Sequence, residues 1–232
     1  MIEYSNVLIW YVVFLLSTTF HEAAHAFTAM KMGDLTAYES GQVTLNPLPH
    51  IKREPVGTVV VPILSFFIGG WMFGWASAPY GPEWAYQNPK KSAAMSAAGP
   101  MANFILILIS ALLIHIGIWT NIFYAPETIK GVNIVAAVNP GILDGIAKLL
   151  SIMFVLNCIL FLFNLIPLPP LDGSGILPMY LSEEKGRRYI EKLSVLGFEL
   201  LGIIVAWTLF DLVYDKFHLL IINLLYPGSN YY

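Results

Sequence analysis

His21, Glu22 and His25 lie within five residues of one another, at the end of a run, Val7–Phe20, that carries no charge. On a helix, residues four apart share a face, so the two imidazoles can grip one metal ion together. Glu22 stands beside them, where a carboxylate can take a proton from a water activated by such an ion. Ionisable groups are costly in a stretch apolar enough to enter a bilayer, and their default meaning there is functional. A catalytic zinc takes three protein donors and keeps one position for water, so the pair needs a third partner.

Asp172 is the best-placed candidate, in Pro169-Pro170-Leu171-Asp172-Gly173. Prolines 167, 169 and 170 end the preceding apolar helix and force extended backbone. Gly173 and Gly175 permit close approach. A ligand and a solvated turn aspartate both satisfy this local pattern. Other groups compete poorly. Glu54 sits between basic neighbours, Glu199 lies early in a later helix, and Asp211 and Asp215 fall near its far end. His115 reads as interfacial or core and His218 as part of a terminal tail. His50 is closer in topology and could touch the site, but loop histidines are usually solvated.

The elements that must position these groups are apolar. Apolar residues make up 57% of the 232, charged residues 12%, and the mean hydropathy is +0.68. This is the composition of an all-α polytopic membrane protein, one domain over 1–232. Spanning helices are expected at about 5–30, 94–118, 147–167 and 194–214. The apolar segment 57–78 is broken by Pro62, Gly69, Gly70 and Gly74, and reads as re-entrant. Tyr38–Leu45 has the pattern of a short strand near the site. Net charge is −3 with no basic block, so no nucleic-acid partner is expected. Cys158 is the single cysteine, which excludes a disulfide framework. The first apolar stretch follows Glu3 with no preceding Lys or Arg, and is expected to be a retained helix.

For Asp172 to meet the histidines, the first and third helices must run in one direction and segment 57–78 must turn back without crossing. Lys31, Lys52, Arg53, Lys90, Lys91, Lys185, Arg187, Arg188 and Lys192 then share one side. Lys130 and Lys148 fall on the other. The positive-inside rule makes the first side cytoplasmic.

His21-Glu22-Ala23-Ala24-His25, then Ala98-Gly99-Pro100, then Asn164-Leu165-Ile166-Pro167-Leu168-Pro169-Pro170-Leu171-Asp172-Gly173 resemble, in order, the site-2 protease family of intramembrane metalloproteases, peptidase family M50. The loop Asn46-Pro47-Leu48-Pro49-His50, followed by Pro55-Val56-Gly57-Thr58, resembles a compact, mostly prokaryotic branch without a PDZ domain. The resemblance runs from about residue 15 to 178. It implies one zinc ion held by His21, His25 and Asp172, with Glu22 as general base and then proton donor. Asn164 would lie near the bound peptide or its oxyanion. The implied activity is a zinc-dependent endopeptidase cutting transmembrane segments of membrane proteins, as in regulated intramembrane proteolysis. The setting would be the plasma membrane, with the site toward the cytoplasm and the bilayer and transmembrane substrates as partners. Ala24 and Ser174 stand where the family usually carries Gly, and neither removes a catalytic atom. A substrate is expected to unwind and add as a strand to segment 57–78 or 38–45. A metal transporter would instead need polar groups spread through the membrane depth, and an idle relative that only holds membrane partners would lack the intact His, Glu and Asp set.

Overall fold

The computed structural model describes residues 4–129, 131–195, 199–229 and 231. Its first helix, α1 (Tyr4–Lys31), carries the His pair close to its C-terminal end. A turn at Gly33 (φ +102°) leads to α2 (Thr36–Glu39) and α3 (Pro47–Arg53). Asn46 caps α3 by accepting the Leu48 N–H, with Pro47 in the first turn where its missing donor costs nothing. A π-helical turn (Val56–Val60) runs into α4 (Val61–Gly69), and α5 (Pro82–Gln87) precedes the long α6 (Pro89–Trp119). Two short strands, β1 (Phe123–Tyr124) and β2 (Ala136–Ala137), pair antiparallel in the following loop. Then come α7 (Ile142–Asn164), α8 (Asp172–Ile176), a 3₁₀ turn (Leu177–Tyr180), α9 (Glu183–Val195) and α10 (Glu199–Leu225).

Among the described residues, three helices are long and apolar enough to cross a membrane: Asn6–Lys31, Pro89–Trp119 and Ile142–Asn164. Helices suit that setting because they satisfy their own backbone groups. α10 continues to Leu225 rather than stopping near 214, because no breaker occurs before Pro227. Its apolar stretch, Leu201–Phe210, is shorter than the other three. The expected start of this helix touches residues 196–198, which lie outside the described residues.

Cross-helix pairs fix the directions. Lys148 donates to Asn6, and Asn157 donates to Ser17, so α1 and α7 run parallel. α6 returns between them, bringing Asn103 to both His21 and Asn157. One apolar cluster, including Trp10, Phe14, Phe66 and Leu156, ties α4 to α1 and α7. A second, including Ile114, Ile134, Phe154 and Ile222, fills the end of the bundle away from the histidines.

Segment 57–78 doubles back. Gly70, at φ +77°, ends α4, and the chain then runs extended toward its own start. Phe73 N–H donates to Ser65 Oγ (3.1 Å) and Trp75 N–H to the Gly57 carbonyl (3.1 Å). The two passes approach so closely that a Cβ on Gly74 would overlap the Gly57 oxygen.

The expected strand at 38–45 is not one. α2 ends at Glu39, Gly41 takes φ +71°, and the amides of Gly41, Gln42 and Thr44 all bond within the loop. Local turn closure therefore wins over the alternating side chains that suggested a strand. The two-stranded sheet lies instead in the 120–141 loop, beyond the far end of α6, and not beside the His pair.

Candidate metal centre and active site

His21 and His25 are both buried, one turn apart on α1. Asp172 begins α8, just after Leu171 in extended conformation (ψ 151°). The proline-rich turn after α7 thus delivers its carboxylate onto the imidazoles. Asp172 Oδ2 lies 2.9 Å from His21 Nε2 and Oδ1 lies 3.3 Å from His25 Nε2. The two Nε2 atoms are 3.0 Å apart. One ligand atom from each of the three residues falls within 4.8 Å of the others.

The outer ring nitrogens explain what this cluster is for. His25 Nδ1 is 2.7 Å from the Met95 carbonyl oxygen, which can only accept, so that nitrogen carries the hydrogen. His21 Nδ1 lies 2.6 Å from Asn103 Oδ1 and donates to it. In the neutral rings each Nε2 then presents its lone pair toward the other and toward a carboxylate. Asp172 Oδ2 is buried and faces only the His21 ring nitrogen. Three converging acceptors repel unless a cation sits among them, so the donor set fits a divalent metal ion. Outer hydrogen bonds of this kind are what orient histidine ligands in metal sites. Gly99 on α6 completes the fit, because a Cβ there would overlap both Nε2 atoms.

Glu22 is buried on the wall of a cavity of about 630 Å³, which His25, Asp172, Ser96 and Tyr189 also line. Ala76, Ser77, Ala78 and Tyr80, in the irregular stretch before α5, line the same cavity. Among the described residues, the backbones of Ala76, Ser77, Ala78 and Tyr80 make no hydrogen bond, leaving an unpaired edge along the cavity. Side chains hold this edge in place. Ser77 Oγ donates to Glu54 Oε1 (2.7 Å), and Gly81 N–H donates to Asp34 Oδ2 (2.8 Å). Asp34 also accepts from the Thr36 amide and hydroxyl. Burial alone would raise the Asp34 pKa, but these hydrogen bonds outweigh it and hold the carboxyl below its ordinary value. Tyr189 OH donates to the Ser174 carbonyl, tying α9 to α8.

The structure thus brings together His21, Glu22, His25 and Asp172. Asn164 Nδ2 donates to the Leu160 carbonyl of its own helix (3.0 Å), and Asn164 is not among the cavity-lining residues. The Ser174 hydroxyl donates to the Leu171 carbonyl, and Ala24 lines a separate apolar groove with Phe27 and Ala102. His50 is buried rather than solvated, with Nε2 on the Thr44 carbonyl. Residues that sequence reasoning missed are Met95, whose carbonyl orients His25, and the fully buried Asn103 and Asn157. The two carboxamides had a signal: each stands alone in an apolar stretch of membrane grade, where polar side chains are rarely idle.

Comparison with known proteins identifies the family. A family model described as "Peptidase family M50" matches residues 9–206. The chain is 35% identical over 167 residues to the "Putative zinc metalloprotease YwhC" of Bacillus subtilis, covering 72% of this chain and 66% of that protein. It is 31% identical over 173 residues to the "Putative zinc metalloprotease Rip2" of Mycolicibacterium smegmatis, covering 75% and 57%. The chain therefore spans less than two thirds of the length of these relatives. No solved structure gives a significant match. The matched region contains His21, Glu22, His25, Gly99 and Asp172 alike, and the chain belongs to peptidase family M50.

Proposed function

We propose that this chain is a zinc-dependent endopeptidase that cuts membrane-spanning segments of other proteins. The observation that carries the reading is the convergence of two imidazole Nε2 atoms and a carboxylate on one point, with Glu22 on the wall of the same cavity. His21, His25 and Asp172 would hold the ion, as an N₂O donor set with room for one more ligand. Zinc bound there supplies Lewis acidity, polarising a peptide carbonyl and acidifying water. The relatives' names as zinc metalloproteases support the choice of metal.

Glu22 takes the proton of the attacking water and returns it to the leaving amine nitrogen. Asn164 Nδ2 carries two hydrogens and spends one on Leu160. It lies outside the cavity lining, so the second can reach a substrate carbonyl or its oxyanion only if the side chain or substrate moves. A helical peptide bond is shielded and already hydrogen-bonded, so the substrate must unwind. The unpaired edge at Ala76–Tyr80 offers backbone partners to an extended segment, in the manner of strand addition. α10 serves as a fourth span. Lys31 ends α1 and Lys90 and Lys91 begin α6, so the site end of the bundle carries the basic residues. That bias supports a site facing the cytoplasm in a multi-pass plasma-membrane protein.

Glu22→Gln in the full chain, reconstituted with a single-span substrate, should lower cleavage by about 10²–10⁴-fold. Zinc content, read by metal analysis, should stay at the wild-type level. Cleavage undiminished in that variant would overturn the mechanism. Loss of zinc along with activity would show that Glu22 holds the metal rather than the proton.

A further inference from the structure

Asn157 touches neither histidine and does not line the cavity, yet it is fully buried and every atom of its carboxamide is used. Its Nδ2 lies 2.7 Å from the Met153 carbonyl oxygen and 2.9 Å from Ser17 Oγ. A carbonyl only accepts, so the group facing Met153 must be the amide nitrogen. Asn157 Oδ1 must then face Asn103, 2.8 Å away, and the Asn103 atom that meets it must be the donor Nδ2. That leaves Asn103 Oδ1 toward His21, where it accepts from Nδ1 at 2.6 Å. The polarity of the whole chain is set at its far end, by one backbone carbonyl of α7. His25 needs no such chain, because the Met95 carbonyl meets it directly.

We propose that Asn157 is a positioning residue that sets metal affinity by fixing, through Asn103, which nitrogen of His21 faces the ion. Without Asn157, the Asn103 carboxamide loses the partner that distinguishes its two ends. A reversed Asn103 turns its NH₂ toward His21 and opposes the hydrogen on Nδ1. The bare Nε2 lone pair that the metal requires is then no longer favoured, although His21, His25 and Asp172 are all intact. Neighbours one step removed from a metal typically change affinity 10–100-fold.

This inference rests on the metal reading proposed above, and its test separates the two. The probe is zinc, titrated into the metal-free full chain in detergent or nanodiscs, against a chelator of known affinity. The second readout is the melting temperature of the metal-free and the zinc-loaded protein. Asn157→Leu should weaken zinc binding by about 10–100-fold and narrow the gap between the two melting temperatures. A purely structural role for Asn157 would lower both temperatures together and leave the gap unchanged. Ser17→Ala removes one acceptor of Asn157 but leaves its bonds to Met153 and Asn103, and should keep affinity and gap. If Asn157→Leu does not fold, Asn157→Ala carries the same criterion. Wild-type affinity and an undiminished gap in a folded Asn157 variant would overturn the proposal. A wild type that binds no zinc would instead overturn the metal reading itself.

Discussion

Gly99 has no side chain, and the site depends on that. It lies on α6 directly over both Nε2 atoms. Gly99→Ala should therefore push the imidazoles apart or fill the space of the ion. An error of about 1 Å in such a centre can cost about 100-fold in rate. The expected outcome is reduced zinc content and at least that loss of cleavage, with α-helical circular dichroism unchanged. Full zinc occupancy in Gly99→Ala would show that the close approach is not needed. His21, Glu22 and His25 were legible in the sequence because helix geometry converts a spacing of four into a shared face. Local sequence left Asp172 as either a ligand or a turn residue, and only the ordered resemblance to the site-2 protease family implied the ligand. The pairing of Asn103 with Asn157 was not legible. It depends on the rotational phase of two helices more than fifty residues apart in sequence, and a single sequence carries no record of that phase.

At the scale of elements, the broken segment matters more than the regular helices. α4 and the extended run after Gly70 form a finger whose outer edge lies along the cavity. Its end is fastened to the end of α1 by Asp34, which accepts the Gly81 amide. Asp34→Asn replaces a charged acceptor at this fastening. It should raise KM for a membrane substrate more than it lowers kcat, with zinc content unchanged. It should also lower the melting temperature at neutral pH by about 2–4 °C, the shift that about 1 kcal/mol gives in a chain of this size. Because the folded pKa of Asp34 is depressed, its contribution is present above the unfolded value near ~3.9 and is lost as pH falls through the folded one. Wild type and Asp34→Asn should therefore differ at pH 7 and converge as pH falls below the unfolded value and through the depressed folded one. Equal melting temperatures at pH 7 would remove Asp34 from this role. Glycines and prolines marked the finger as interrupted. They did not mark its return path, which is closed by the long-range bonds from Trp75 to Gly57 and from Phe73 to Ser65. The misplaced strand at 38–45 has the same cause. Alternation is a weak signal when a glycine in the left-handed region sits inside it.

For the molecule as a whole, the two ends of the bundle differ in kind. The end with the histidines carries Lys31, Lys90, Lys91 and the charged α9, and the other end is closed by an apolar cluster under the 120–141 loop. Cysteine accessibility in intact cells tests the orientation. Cys158 is buried, so the wild type should stay unlabelled. Ser182→Cys and Asn139→Cys both alter exposed positions at opposite ends. An impermeant maleimide should label Asn139→Cys from outside and reach Ser182→Cys only after the membrane is opened. The reverse pattern would invert the molecule. The order of the donors along the chain has one more consequence. His21 and His25 emerge early in synthesis, whereas Asp172 follows only after α6 and α7 have been made. A growing polypeptide thus cannot gather the three donors until α6 and α7 have been threaded into place, so no metal can be gripped by the full set before that point in synthesis.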